Sequence, residues 1–444
     1  MTQPNTPNPV RYCAALLGVT MAGFVMIKTG RDAAFFSRGD SVSTLPSLLL
    51  WIGIFALPVA MTHLRLMQVW GTRRTRLVVF GLASVVFGIS APVFNAGWRG
   101  ALLAMFPVVP VAFAALFASA WLLTADLLDN LPPRARAQGY GKIAAASTLG
   151  GIVGAAFSRL ASPALDTTGL IRAGAVVLLL STLVAYRAHR VFPAQTGPRV
   201  RTSAPPQSLL AAAPKLLRSS RTGLMAFMSA GAAATGLLVE FQFYASAAQS
   251  GATDPKFFAT FYFWLGLVTL LVQLFVAPAL QRAIGSRTLV LLPLGVLGGI
   301  SLVLASLGLW TRWGLRLVES TLKSAVHRAS WEQAYLPINR EIRGPTKALV
   351  DGAIARMSEA VVAGALIIYI SSLDGGQVHL MGLTLVTAAM GTVWLFAAWK
   401  FVATDEQVPV TTISEGSAPP DAACQATAAL GATLPELAHE ERGQ

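Results

Sequence analysis

The chain has 444 residues, 54% of them hydrophobic and only 12% charged, with a mean hydropathy of +0.60. Soluble domains carry about 25% charge, so the composition excludes a soluble globular protein and points to one that crosses a membrane many times. The formal net charge of +14 is then read as Lys and Arg on cytoplasmic loops, and no nucleic acid polymer is expected as a partner.

A membrane helix needs about 20 mostly apolar residues. Twelve such runs are predicted: 11–34, 44–64, 77–96, 101–126, 141–162, 170–189, 223–248, 257–280, 288–310, 313–336, 346–370 and 379–399. The first run shows no small-x-small cleavage site and leads into further apolar segments, so it reads as a span and not as a signal peptide. Its outer part reads "MIKTGRDAAFF" and carries Lys28, Arg31 and Asp32. Arg31 suits an anionic substrate, because its guanidinium presents a bidentate fork. Alternatively, Arg31 and Asp32 latch a gate that breaks during a transport cycle.

The fifth run is rich in small residues. Gly150, Gly151 and Gly154 are predicted to let helices pack closely. A stretch rich in Pro, Arg and Ser, "RVFPAQTGPRVRTSAPPQ", then divides the twelve runs six and six. The seventh run brings Glu240 and Gln242, and the eighth Gln273. A lone Gln in a span usually makes an interhelix hydrogen bond.

The tenth run stands apart. Arg316, Glu319, Ser320, Lys323, Ser324 and His327 recur at spacings of three and four, which places them on one helix face. The stripe covers roughly 16 Å of axis. Each of its charges would cost about 2.5–3.5 kcal/mol facing lipid, so the stripe must face protein or water. Either Glu319 pairs with Lys323 to hold the bundle together, or the stripe lines a translocation path. The eleventh run adds Lys347 and Asp351 near its start, as an inner-gate pair or ligand contacts, and Arg356 and Glu359 three apart. Beyond residue 400 the chain is acidic and reads as a solvated, disordered tail.

With a cytoplasmic N-terminus, the inner loops hold 21 Lys and Arg against eight outside. That bias puts both termini in the cytoplasm. Matched loops, "GTRRTR" after the second run and "AIGSRT" after the eighth, suggest related halves. The fold expected is all-α: twelve transmembrane helices in two six-helix bundles, the major facilitator layout, with a site at the midplane. The divisions expected are 1–190 and 223–400 for the bundles, 191–222 for a basic linker and 401–444 for the tail.

Four stretches, in order, resemble the ATP:ADP antiporter family of nucleotide translocases and its bacterial relatives. They are "KTGRDAAFFSRGDSVSTLP", "TADLLDNLPPRARAQGYGKIAAASTLGGIVGAAFSRL", "LVEFQFYASAAQSGATDPKFFATFYFWLGLVTLLVQL" and "AYLPINREIRGPTKALVDGAIARMSEA". The resemblance implies a twelve-helix inner-membrane carrier of nucleotides, with Arg31 at the family's basic first-span position. Two departures imply a retuned pocket: an apolar position near Pro110 where the carriers are acidic, and Glu359 where they have Lys.

The function expected is a secondary transporter, monomeric in the bilayer, moving a small anionic solute such as a nucleotide or phosphorylated metabolite. Arg31, Arg316, Lys323 and Arg356 are the expected substrate contacts. Asp32, Glu240, Glu319, His327, Lys347, Asp351 and Glu359 are the coupling or gating candidates. The alternative is proton-coupled export of an amphipathic or cationic compound through Glu240, Glu319 and Glu359. A third possibility, a membrane receptor, has only the acidic tail behind it. No nucleophile elbow, zinc-protease or phosphate-loop motif occurs, so no enzyme is expected. Two Cys, Cys13 and Cys424, and five His give no disulfide framework or metal-site spacing, and no cofactor is expected.

Overall fold

The computed structural model describes residues 8–95, 99–128, 131–192, 214, 217–306, 308–335, 337–338, 340–373 and 378–407. Most of the linker expected at 191–222, and the tail beyond Gln407, lie outside the described residues. Among those described, every regular element is a helix. In the first half these are α1 (Pro9–Phe36), α2 (Ser41–Trp70), α3 (Thr72–Asn95), α4 (Arg99–Leu128), α5 (Pro133–Ala161) and α6 (Thr167–Val191). The second half opens with α7 (Ser220–Gln249). Helix α8 runs Pro255–Leu271, through a π turn at Val272–Val276, to Ala277–Ile284; α9 is Leu291–Ser306. Helix α10 comprises Leu309–Leu322, a π turn at Lys323–His327 and Arg328–Ala334. Helix α11 comprises Arg340–Lys347, a π segment at Ala348–Ile354 and Ala355–Ser371, and α12 is Leu380–Gln407. Six of these helices precede the linker and six follow it.

Local chemistry sets the helix ends. Asn8, Asp166 and Asp254 each accept a hydrogen bond from a first-turn amide, satisfying donors the helix itself leaves open. Ten helical stretches are long and apolar enough to cross a membrane, and one of them runs 52 residues from Pro255 to Ser306. That stretch spans more than twice a bilayer core of about 30 Å. It turns back at Gly285, whose φ of 51° suits a residue with no Cβ. The charged α10 falls outside those ten.

Several helices run past the apolar limits read from the sequence: the second ends at Trp70 and not at 64, the fifth starts at Pro133 and not at 141, and the twelfth ends at Gln407 and not at 399. The apolar run expected at 288–310 splits at Gly308, which is extended (φ −84°, ψ 164°) and starts α10 at Leu309. The eleventh helix starts at Arg340 and not at 346, because polar turns continue a helix past the hydrocarbon edge without cost to the apolar count.

Lipid tails are as apolar as the side chains they would replace, so close packing holds such helices together. Glycines create it here. A Cβ at Gly150 would stand 2.0 Å from the Gly18 carbonyl oxygen, and one at Gly154 would stand 2.5 Å from that of Ala22. Helices α5 and α1 therefore touch through their backbones. Gly151 meets side chains only, the flexible Met21 at 3.3 Å and Val25 at 3.7 Å. Helix α5 also reaches the second half: Gly266 of α8 packs on Ile152, and Thr148 donates to Gln273 at 3.2 Å.

One apolar cluster joins the halves at the end where α1 finishes and α2 begins. It holds Phe35, Phe36, Leu45 and Phe106 from the first half and Phe241, Tyr244, Phe258, Phe261 and Ile370 from the second. Phe36 stacks on Tyr244, with centroids 4.5 Å apart and planes 14° apart. Two further clusters, among the described residues, each stay within one half: Cys13, Leu17, Leu116 and Leu123 in the first, Ala277, Ala325 and Val326 in the second.

Candidate functional site

Lys28 and Asp32 stand one turn apart on α1 and share a face. Lys28 Nζ lies 2.7 Å from the Tyr262 hydroxyl, 3.0 Å from the Tyr244 hydroxyl and 3.6 Å from Asp32 Oδ2. Tyr244, at 2.9 Å, and Tyr262 both donate to that same oxygen. Arg31 donates to Asp32 Oδ1 through Nε at 2.8 Å and through Nη2. It also donates to the Phe106 carbonyl at 3.1 Å and lies over the Phe106 ring, 4.2 Å from its centroid. Asp32 is fully buried. A lone carboxylate would be very costly there; two cations and two hydroxyls compensate it. Lys28 and Asp32 of α1 thus contact α7 and α8 across the boundary between the halves.

The network continues along α7. Gly236, Glu240 and Tyr244 recur every four residues and form one ridge. Arg316 of α10 pairs with Glu240 at 3.0 Å and with Glu319 Oε2 at 2.7 Å. Ser320 donates to Glu319 at 2.9 Å. Lys323 stays 3.7 Å from Glu319 Oε1, and its side chain is 48% exposed. Glu319 is buried and Glu240 is 29% exposed, so Lys323 and Glu240 are the accessible members of the network. Three helices, α1, α7 and α10, supply the charges of this ladder, and α8 adds the Tyr262 hydroxyl.

Gly236 leaves room for that ladder: its added Cβ would stand 3.0 Å from Glu319 Oε1 and 3.2 Å from Lys323 Nζ. Both are ends of flexible side chains and can yield. Gly236→Ala is therefore expected to leave the melting temperature nearly unchanged while shifting the two charges, and to lower ligand affinity about tenfold in a binding titration, equivalent to ~1.4 kcal/mol.

The other expected residues lie apart. His327 is buried, stacked on Trp331 at 5.4 Å and edge-on to Trp394 at 6.4 Å. The π turn at Lys323–His327 adds a residue to the local repeat, so the polar stripe does not keep one face through His327. Asp351 Oδ1 accepts from Trp331 Nε1 and from the Tyr335 hydroxyl, both at 2.7 Å. Lys347 pairs with Glu332 of α10. Arg356 pairs with Glu359 at 2.6 Å, with 48% of its own side chain exposed. The three π segments carry Gln273, Lys323 and Asp351 respectively; such bulges are frequent at functional sites.

Sequence reasoning missed Lys28, Tyr244 and Tyr262 as site residues. The i, i+4 spacing of Lys28 and Asp32 was a usable signal for the first. Nothing local distinguishes the two tyrosines from the aromatic residues around them.

No family model matches the chain, and no curated protein matches it. Solved structures do. The nucleoside transporter NupG superposes with a TM-score of 0.63 at 13% identity, over 89% of this chain and 99% of that one; a NupG variant gives 0.67, also at 13%. An auto-inhibited POT family peptide transporter gives 0.61 at 10% identity, over 90% of this chain and 97% of that one. The POT family transporter PepTSo gives 0.62 at 11%, over 90% and 100%. Over nearly its whole described length, then, this chain shares with those transporters the twelve-helix major facilitator fold.

Proposed function

We propose that the protein is a secondary transporter that moves a small anionic solute by alternating access. One observation carries the reading: a ladder of buried charges crosses the boundary between the halves, and its water-exposed end is a lysine. In this fold two bundles rock about a midplane site. Lys28, Asp32, Tyr244 and Tyr262, capped by the Phe36–Tyr244 stack, act as the closed gate. Arg316 and Lys323 receive the substrate. Arg31 serves the gate by fixing Asp32, and Arg356 is a peripheral contact. The excess of Lys and Arg on one set of loops supports cytoplasmic termini and an inner-membrane location, which makes the closed gate the outer one. The protein acts as a monomer.

Arg316→Gln tests the reading. Uptake into proteoliposomes of an anion found by thermal-shift screening is expected to fall about a hundredfold, or ~2.7 kcal/mol, with the protein still monodisperse. Unchanged uptake refutes the assignment. The partly exposed carboxylate of Glu240 is what favours the competing reading of a proton-coupled exporter. Transport of cations driven by a pH gradient and lost in Glu240→Gln would establish that reading instead.

A further inference from the structure

We infer that Asp351 is a proton-binding site of the transport cycle, and that the end of the molecule opposite the Asp32 knot closes with that proton in place. The inference deepens the carrier reading and rests on it. Six other helix carboxylates, Asp32, Asp126, Glu240, Glu319, Glu332 and Glu359, each lie in an ion pair with a lysine or an arginine. A neighbouring cation favours the charged form of a carboxylate and so opposes its protonation. Asp351 differs. Among the described residues it pairs with no cation, and its partners are two neutral donors, Trp331 Nε1 and the Tyr335 hydroxyl, each 2.7 Å from Oδ1.

The geometry leaves a place for the proton. Oδ1 takes both hydrogen bonds, and Oδ2 accepts none among the described residues. A proton taken from water by Oδ2 makes a neutral acid whose Oδ1 remains a carbonyl acceptor. Both bonds survive, so α10 stays tied to α11 in either protonation state. The nearest lysine is engaged elsewhere. Lys347 lies four residues before Asp351, but the π segment begins at Ala348, and Lys347 pairs with Glu332. The Lys347–Asp351 gate pair expected from the sequence is therefore not formed. No other neighbour replaces it. On α11, Arg356 is paired with Glu359. On α10, His327 stacks on Trp331 at 5.4 Å. From α7, Ser229 donates to the Val350 carbonyl at 2.9 Å, and Arg221 to the Ala334 carbonyl at 3.0 Å.

Position gives the proton its role. Helices α1 and α11 start at the same end of the molecule, because an even number of crossings separates their starts. Asp32 lies in the last turns of α1 (Pro9–Phe36), and Asp351 lies in the first half of α11 (Arg340–Ser371). The two carboxylates therefore belong to opposite ends. Alternating access requires each end to shut and exclude water once per cycle. A carboxylate with no cation is costly in such a place. The neutral acid, which keeps both of its donors, avoids that cost. Protonation of Asp351 from solvent at its own end is the step that permits closure there, and reopening returns the carboxylate to water.

The experiment uses the full chain in lipid nanodiscs, with Cys13 and Cys424 replaced by alanine. Spin labels are attached through Gln138→Cys and Ile342→Cys. Both positions are exposed, near the starts of α5 and α11, and so lie on opposite halves at the Asp351 end. Double electron–electron resonance reads the distance distribution between them from about pH 5 to about pH 8. In the otherwise unaltered chain the short-distance, closed population should be roughly threefold larger at the acid limit. Asp351→Asn mimics the neutral acid and should show the acid distribution throughout. Tyr335→Phe removes one donor from the charged form and should move the midpoint to higher pH; it serves if Asp351→Asn does not fold. A distribution unmoved by pH, a shift that persists in Asp351→Asn, or an unchanged midpoint in Tyr335→Phe overturns the proton site and leaves the anion carrier standing. Absence of anion uptake at fixed pH, with the shift still lost in Asp351→Asn, overturns the carrier reading and leaves the proton-binding carboxylate.

Discussion

Asp32→Asn is expected to abolish transport and to destabilise the protein by about 3–5 kcal/mol, the usual cost of removing one partner from a buried ion pair. The size follows from what Asp32 holds. Its two oxygens take Arg31 on one side and Tyr244 and Tyr262 on the other, with Lys28 Nζ 3.6 Å away. The amide is nearly isosteric but leaves two largely buried cations with no carboxylate. Thermal unfolding of the purified protein in detergent reads the stability term, and proteoliposome uptake reads the transport term. Tyr262→Phe removes one hydroxyl and leaves the charges paired, so its cost should be nearer the 1–3 kcal/mol of a lost buried hydrogen bond. If Asp32→Asn melts with the wild type, the knot is not the structural centre argued here.

Gly150→Ala should be the most damaging small substitution in the chain. Its methyl would stand 2.0 Å from the Gly18 carbonyl oxygen, 2.6 Å from that carbonyl carbon and 2.7 Å from its Cα. All three are backbone atoms, so no side chain can rotate away and α1 and α5 must separate. Overpacking ordinarily costs about 1–3 kcal/mol, and a backbone partner puts this case at the top of that range or above it. Gly154→Ala, against Ala22 backbone atoms at 2.5–3.0 Å, should behave similarly. Gly151→Ala is the internal control. It meets the Met21 side chain at 3.3 Å, which can shift, and gains about 1 kcal/mol of helix propensity. Its melting point should match or exceed the wild type. Size-exclusion profiles and melting curves of the three variants decide the matter: equal loss at all three positions contradicts the backbone contact.

Much of the architecture was legible because hydrocarbon imposes long apolar runs, and twelve of them can be counted without coordinates. The pairing of Glu319 with Lys323 and of Arg356 with Glu359 was legible for the same kind of reason, since neighbours three or four apart meet on any helix. Gln273 reads the same way: an amide in a span seeks a partner, and Thr148 supplies it. The His327 position was misleading, because the spacing rule assumes a regular repeat and the π turn at Lys323–His327 interrupts it.

The amino-acid order by itself determined the membrane class, the number and approximate limits of the helices, the small-residue face of α5 and the presence of charges that lipid would reject. Those follow from transfer free energy and helical repeat, which act on each segment alone. Only the tertiary structure decided that Lys28, and not Arg31, reaches the opposite half, that Tyr244 and Tyr262 close over Asp32, and that Lys323 is left as the exposed cation. Each of these joins residues more than 70 positions apart or depends on such a junction, and no local preference encodes which distant helix a side chain will meet.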